Sequence, residues 1–176
     1  VIEPLAYRQH QTLPPFRYHL LPDPLTPPPV DPALDDSAWP VIEPHTYWAR
    51  QGENFVLRTV FQVPQAWESG PVILTLPLGD AGDFSHPEAL AYIDGAPYAA
   101  CDRHHQEILL PDTYRDGRAH CLALHGWTGT DLAPTLPHNR LYMRPCAVVQ
   151  VDRPTRDLIA TARVALEIAT LLEEMR

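Results

Sequence analysis

The sequence predicts an all-β fold, an antiparallel β-sandwich or jelly roll, on a chain of 176 residues. Segments rich in β-branched and aromatic residues recur at short intervals, as strands of such a fold do. Turn signals separate them: Ser69-Gly70-Pro71, Asp94-Gly95 and Asp116-Gly117. Between residues 48 and 151 no segment shows the 3.6-residue period of an amphipathic helix. Together these observations favour a sandwich over any mixed α/β architecture.

Six segments carry the strand pattern. The predicted strands cover residues 55–63, 72–78, 89–98, 107–110, 119–125 and 141–151. The third contains Asp94-Gly95, and these residues tolerate the positive φ angles of a type I′ turn, so it should fold as a hairpin. The fourth and fifth are joined by a short connection containing Asp116-Gly117, and we expect them to pair as a second hairpin. Pro145 in the sixth segment indicates an edge strand or a bulge.

The N-terminal segment is rich in proline. Residues 1–40 contain ten of the 21 prolines, including Pro27-Pro28-Pro29. Proline fixes φ and lacks a backbone donor, so residues 1–33 should form an extended arm along a surface, neither a helix nor a central strand. The sandwich body is then expected over residues 34–152.

The residue pattern of the C-terminal segment, residues 153–176, predicts one helix. From Pro154 to Met175 it has no glycine and no internal proline, and Asp152 or Thr155 suits the N-cap. Its apolar residues form two helical stripes, more than one sandwich face can cover. The first is Leu158, Ala162, Ala165, Ala169 and Leu172; the second is Val164, Ile168, Leu171 and Met175. The second stripe should therefore dock on another domain or another copy, or stay exposed.

The composition limits the classes of partner. The formal net charge is −9, which argues against binding to nucleic acid or to anionic membranes. No signal peptide opens the chain and no apolar run reaches transmembrane length. The three cysteines lack paired metal-binding spacing. We expect reduced thiols and a cytoplasmic protein.

A polar loop, Asp102-Arg103-His104-His105, follows the first hairpin. If the strands at 107–110 and 119–125 pair, this loop lies beside Trp127 at one edge of the sandwich. A fixed cation, two imidazoles and an aromatic plane suit sugar hydroxyls or a docked domain. The simpler alternative is that Arg103 pairs with a neighbouring acid and the histidines only cap strand ends.

Catalytic and metal sites are weaker interpretations of the same polar residues. Asp94, Asp102 and Glu107 are explained as a turn former, a loop cap and a strand-edge acid, whereas a glycosidase needs two facing carboxylates. The adjacent pairs His104-His105 and His120-Cys121 would point to opposite faces of a strand, which argues against a zinc site. The candidate ligands are Cys101, Asp102, His104, His105, His120 and His125. We assign no catalytic residue and no metal ligand to this chain.

Five motifs occur together in one order: DDSAWP at 35–40, FxVPxxW at 61–67, EALAYIDGAPY at 88–98, DRHHQEILLP at 102–111 and HGWTG at 125–129. In this order they resemble the N-terminal domain of α-mannosidases of glycoside hydrolase family 38, of the bacterial cytosolic or vacuolar type. The resemblance covers roughly residues 34–176. It implies a galactose-binding-like jelly roll, similar to the sugar-binding domains of family 2 glycosidases.

The same resemblance implies a role. The chain would be a non-catalytic domain for docking, assembly and the rim of the catalytic cleft. Zinc-dependent, retaining hydrolysis of α-mannosides would belong to a C-terminal catalytic domain of the same polypeptide, with zinc or another divalent metal bound there. Two other hypotheses stay open: an independent carbohydrate-binding module that takes α-mannoside glycans, and a homo-oligomeric assembly module.

Overall fold

A computed structural model describes residues 3–67, 69–79, 87–129 and 141–175. The outermost residues of the predicted arm and helix, 1–2 and 176, lie outside these ranges. The described strands form a four-stranded antiparallel sheet, a six-stranded antiparallel sheet and a two-stranded ribbon, followed by one C-terminal helix. This confirms the predicted all-β sandwich.

Five of the six predicted segments form strands at nearly the same residues, whereas residues 141–151, predicted as one segment, form two strands that pair in different sheets. The strands are β1 Tyr7–Thr12, β2 Phe16–Leu21, β3 Val41–Ile42, β4 Thr46–Trp48, β5 Asn54–Phe61, β6 Val72–Thr75, β7 Glu88–Ile93, β8 Ala96–Cys101, β9 Glu107–Leu110, β10 His120–Trp127, β11 Leu141–Met143 and β12 Ala147–Val151. Sheet A has the order β1-β12-β6-β9, and sheet B has the order β3-β2-β5-β10-β7-β8. The ribbon pairs β4 with β11.

The main core lies between the two sheets. Alternating residues of each strand point inward, such as Leu74 and Val148 from sheet A and Leu57 and Leu122 from sheet B, and all four are fully buried. Trp48 of the ribbon closes one side of this core, and its indole Nε1 donates to the Leu78 carbonyl at 2.9 Å. A buried indole therefore keeps its hydrogen bond, as core tryptophans require.

The first predicted hairpin is confirmed. β7 and β8 pair antiparallel through Asp94 and Gly95, whose φ angles are 50° and 81°. Both values are positive, as a type I′ turn needs. The Asp94 carboxylate also accepts a bond from the Cys121 amide at 2.8 Å, so the turn is fastened to the neighbouring strand β10.

The second predicted hairpin is wrong. β9 pairs with β6 in sheet A, whereas β10 lies between β5 and β7 in sheet B. The connection between β9 and β10 contains a 3₁₀ turn, Asp112–Tyr114, and crosses from one sheet to the other. Strand pattern and loop length alone do not separate such a crossing from a hairpin, because both join two half-buried strands.

The N-terminal segment differs from an arm outside the sandwich. β1 pairs with β12 at the edge of sheet A, and β2 pairs with both β3 and β5 in sheet B. The prolines of this segment all lie outside both strands, so the ladder donors are kept. The segment therefore contributes one strand to each sheet.

Residues 22–40 are the part of this segment that runs extended over the outer face of sheet B. Arg58, on β5, anchors them although it is only 3% exposed. Its Nε donates to Asp36 at 2.8 Å, and its Nη1 donates to the carbonyls of Pro29 and Asp31 at 3.1 and 3.0 Å. His19 stacks on Trp39 with ring centroids 4.6 Å apart. One buried charge thus organises the Pro-rich strap.

The C-terminal helix α1 covers Arg153–Glu174, as predicted. Asp152 is the N-cap, and its amide donates to the Ala6 carbonyl at 2.7 Å. None of the helical residues is buried. No helix of the described part is long and apolar enough to cross a membrane. The helix therefore projects from the sandwich with most of its surface uncovered.

Candidate functional site

The predicted loop surface consists of Asp102, Arg103, His104, His105 and Trp127. Trp127 is the last residue of β10 and lies opposite Glu88 of β7, while Ala89 lies opposite Cys101, the last residue of β8. Trp127 and Asp102 therefore lie at the same end of sheet B, separated by one strand, or about 10 Å. The sequence placed the two loops together for the wrong reason, since β7 and not a β9–β10 hairpin joins them.

Asp102 organises the polar loop. Its Oδ1 accepts bonds from the amides of His104 and His105 at 2.6 and 2.8 Å, and His105 Nδ1 lies 3.1 Å from both carboxylate oxygens. The His105 side chain and these two amides lower the pKa of Asp102 to about 2. A carboxyl with such a pKa stays ionised at neutral pH and is a poor general acid.

Arg103 pairs neither with Asp102 nor with Glu107 among the contacts of the described residues. Its Nε donates to His104 Nε2 at 3.0 Å. Glu107 instead binds the Tyr7 hydroxyl at 2.6 Å and the Arg156 guanidinium of α1. These contacts do not agree with the simpler alternative, in which Arg103 pairs with a neighbouring acid. Glu107 links sheet A to the helix.

A group of hydrogen-bonded residues that the sequence did not reveal holds the end of β10 next to Trp127. Thr128 is fully buried; its Oγ1 accepts from the Glu53 amide at 3.0 Å and donates to the Arg50 carbonyl at 2.7 Å. Glu53 Oε2 accepts from the Tyr18 hydroxyl at 2.9 Å, and burial raises the pKa of Tyr18. The contacts join residues 35 to 78 positions apart, beyond any local sequence signal.

A second cluster, also missed, lies at the opposite end of β10. His120, 7% exposed, has Nδ1 2.7 Å from Asp94 Oδ2 and Nε2 3.1 Å from Asp116 Oδ1. Its ring stacks on Phe61 at 5.4 Å. The backbone and side chain of Arg118 are the main cause of the lowered pKa of Asp116, which is about 2. This cluster links the β7–β8 turn to the β9–β10 connection. Its contacts are therefore explained by their part in holding the fold together.

The described residues of the loop surface form neither a pocket for a small molecule nor a metal site. The recess beside Asp102 and Arg103 has almost no space for even a water-sized molecule, whereas small-molecule pockets measure roughly 300–1,000 Å³. Within the described ranges no three His, Cys, Asp or Glu side chains converge as metal ligands. The three cysteines are unpaired, and burial raises the pKa of Cys101 to about 12. The geometry suits contact with a second surface.

The fold is shared with parts of larger enzymes. A β-glucuronidase 2 from Bacteroides uniformis, solved as a calcium-binding mutant, superposes with a TM-score of 0.55 at 20% identity, over 80% of this chain and 18% of that one. A β-glucuronidase from Ruminococcus gnavus, in complex with uronic deoxynojirimycin, gives 0.54 at 12% identity, over 84% and 30%. A glycosyl hydrolase family 2 member from Bacteroides cellulosilyticus gives 0.53 at 13% identity, over 84% and 21%.

These likenesses show the fold, and the chain spans under a third of each of these proteins. No protein-family model matches the sequence, and no curated protein gives a significant match. The neighbours are β-glucuronidases and a family 2 glycosyl hydrolase, which contradicts the expected membership of family 38 and the α-mannosidase role that came with it. The expectation of zinc depended on that membership. The carbohydrate-binding alternative gains no support from these neighbours.

The pKa of Asp102 leads to a prediction about acid stability. Because its folded pKa of about 2 lies below the ordinary value of about 3.9, its stabilisation is present above pH 3.9 and is lost as the pH falls towards 2. We expect Asp102→Asn to unfold more easily than the wild type at pH 7, with the difference vanishing between about pH 4 and pH 2. Urea midpoints across this range measure it.

The matched variant is His105→Ala. It removes the side-chain bond but leaves both amide bonds to Asp102, so a smaller part of the difference should disappear over the same pH range. A difference between Asp102→Asn and the wild type that stays constant from pH 7 to pH 2 would contradict the assigned hydrogen bonds.

Proposed function

We propose that this chain is a non-catalytic β-sandwich domain of a multidomain glycoside hydrolase related to family 2, and that it docks against the remainder of its polypeptide. The observation that carries the proposal is the fold that 80–84% of this chain shares with less than a third of two β-glucuronidases and a family 2 glycosyl hydrolase. The ionised Asp102 and the small size of the recess beside it support a docking role over a catalytic one.

Two surfaces serve this docking. The first is the loop surface defined above, where Trp127 is 38% exposed on a strand end that Thr128 holds rigid. The second is the Ile168 face of α1, formed by Val164, Ile168, Leu171 and Met175, which are 56%, 52%, 58% and 83% exposed. Their exposure agrees with the sequence prediction, and their docking partner stays a prediction. Apolar faces this exposed favour association with another surface.

The test uses the natural protein, recovered from its source cells with an antibody to this domain. We expect a polypeptide several times larger than 19.8 kDa that hydrolyses an aryl glycoside from a panel including β-glucuronide. The 176-residue chain alone should hydrolyse none of the panel. A natural polypeptide of only about 20 kDa, or turnover of a glycoside by the 176-residue chain itself, would overturn the proposal.

Single substitutions locate the docking surfaces. In the natural protein, Trp127→Ala and Ile168→Ala should each make limited proteolysis release the sandwich about tenfold faster, because a weakened interface opens more often. Leu25→Ala is the control, since Leu25 is 90% exposed on the Pro-rich strap and outside both surfaces. Release rates equal to the control for both variants would refute docking through these faces.

A further inference from the structure

The Ile168 face covers only one side of α1, and a second apolar face lies beside it. The Leu158 face consists of Leu158, Ala162, Ala165, Ala169 and Leu172, and all five are exposed to solvent. The two leucines are 65% and 57% exposed. Five residues spaced three and four apart lie on one side of a helix. One partner surface covers a face about 100° wide, so the two faces require two different partners.

The two leucines of the Leu158 face are symmetric about Ala165. Leu158 and Leu172 each lie seven residues, or two helical turns, from it. Ala162 and Ala169 fill the space between. A second copy of the helix, rotated about a two-fold axis through Ala165, would place leucine against leucine at both ends and short side chains at the crossing. Such a self-complementary face is what a two-fold interface needs.

The charges of α1 decide the orientation of that copy. The first half carries three arginines and one acid, Asp157, and is net basic; the second half carries only acids, Glu167, Glu173 and Glu174. The last turn has no base, although the helix dipole favours one there. An antiparallel copy brings each basic half beside an acidic half and opposes the two dipoles, whereas a parallel copy brings like charges together.

The position of the sandwich gives the same answer. Both helices leave their sandwich at Asp152, beside Ala6, so a parallel pair would bring two sandwiches to the same end. In an antiparallel pair they lie at opposite ends of a helix about 33 Å long. Pairing over some 15 residues of each helix buries on the order of 1,000 Å², the size at which specific interfaces begin.

We infer that α1 is a dimerisation helix, which pairs antiparallel with α1 of a second copy of this chain through the Leu158 face. The Ile168 face stays on the outside of the pair, available for the docking proposed above. The inference concerns a separate face of the helix and does not depend on the identity of the enzyme.

Sedimentation equilibrium of the 176-residue chain tests the dimer. We expect twice the mass of 19.8 kDa at micromolar concentration, and Ala165→Glu should raise the dissociation constant at least about 100-fold, because it brings two carboxylates together at the crossing. Thr170→Glu, on the polar side of the same helix, should stay dimeric. Circular dichroism confirms that the helix is kept in both. A monomeric wild type, a broad mixture of larger species, or a dimeric Ala165→Glu variant overturns the inference.

Disulfide formation tests the orientation. Chains carrying Leu158→Cys should crosslink to chains carrying Leu172→Cys when the two are mixed, because a disulfide needs Cα atoms within about 7 Å. Neither variant should crosslink to itself beyond the wild-type background of its native cysteines. Crosslinking of Leu158→Cys with itself would show a parallel pair and refute the antiparallel arrangement.

Discussion

Asp36→Ala is expected to lower the free energy of unfolding by about 3 kcal/mol, since it leaves a buried guanidinium without its carboxylate. Arg58 is 3% exposed and donates Nε to Asp36 at 2.8 Å. Its Nη1 donates to two backbone carbonyls of the Pro-rich strap, which do not neutralise its charge. Denaturant unfolding monitored by tryptophan fluorescence measures the loss.

Two further variants separate burial from simple ion pairing. Arg118→Ala removes a short pair with Asp116 at 2.5 Å, but Arg118 is 80% exposed, so the loss should stay below about 1 kcal/mol. The double variant Asp36→Ala with Arg58→Met removes the charge together with its partner and should recover most of the stability of Asp36→Ala. A loss for Asp36→Ala no larger than for Arg118→Ala would contradict the role of the buried charge.

The local features of the fold were predictable because short-range chemistry determines them. Asp94-Gly95 specified the hairpin, since few other residues adopt positive φ at both turn positions. The run from Asn54 to Phe61 reads as a strand because β-branched and aromatic side chains suit a pleated surface. Pro154 and the absence of glycine marked α1.

The pairing of strands was not predictable from the same signals. β9 and β10 read as hairpin partners, yet the chain crosses between sheets after Leu110. The strand β2 was hidden in the Pro-rich segment, because prolines around a strand do not prevent it from pairing. Arg58 reads as a solvent-exposed residue of its strand, since the carboxylate and carbonyls that bury it lie 22 to 29 residues away. Long-range polar contacts of this kind leave no periodic trace in a sequence.

The candidate site shows the same division. The expected β9–β10 hairpin placed Asp102 beside Trp127; the hairpin is wrong, yet the two residues lie at one end of sheet B because β7 lies between their strands. The supports of Trp127 were missed because the Glu53–Thr128 contacts join segments 75 residues apart. The exposure of α1, in contrast, followed from its two apolar faces alone, since one sandwich face cannot bury both.

Gly126→Ala is expected to destabilise the sandwich by about 3 kcal/mol through overpacking. Gly126 lies on β10 between β5 and β7, where an added Cβ would be 2.5 Å from the Glu88 carbonyl oxygen and 2.7 Å from Phe55 Cζ. The carbonyl belongs to the backbone of β7, and Phe55 is fully buried, so neither can move without separating strands. The urea midpoint of unfolding measures the change.

Gly52→Ala is the matched control, because it adds the same methyl group where only backbone conformation opposes it. Gly52 has φ of 76° and no atom within 4 Å of an added Cβ, so the loss should be about 1 to 2 kcal/mol from left-handed strain. Gly126→Ala should also shift the emission of Trp127, the next residue, because β10 must move away from β7 at this end. Gly126→Ala losing no more stability than Gly52→Ala would mean that the strands are not packed as closely as described.

The movement of β10 away from β7 in Gly126→Ala would also widen the gap between Trp127 and Asp102. A folded Gly126→Ala chain should therefore show weaker docking through the loop surface than the Gly52→Ala chain.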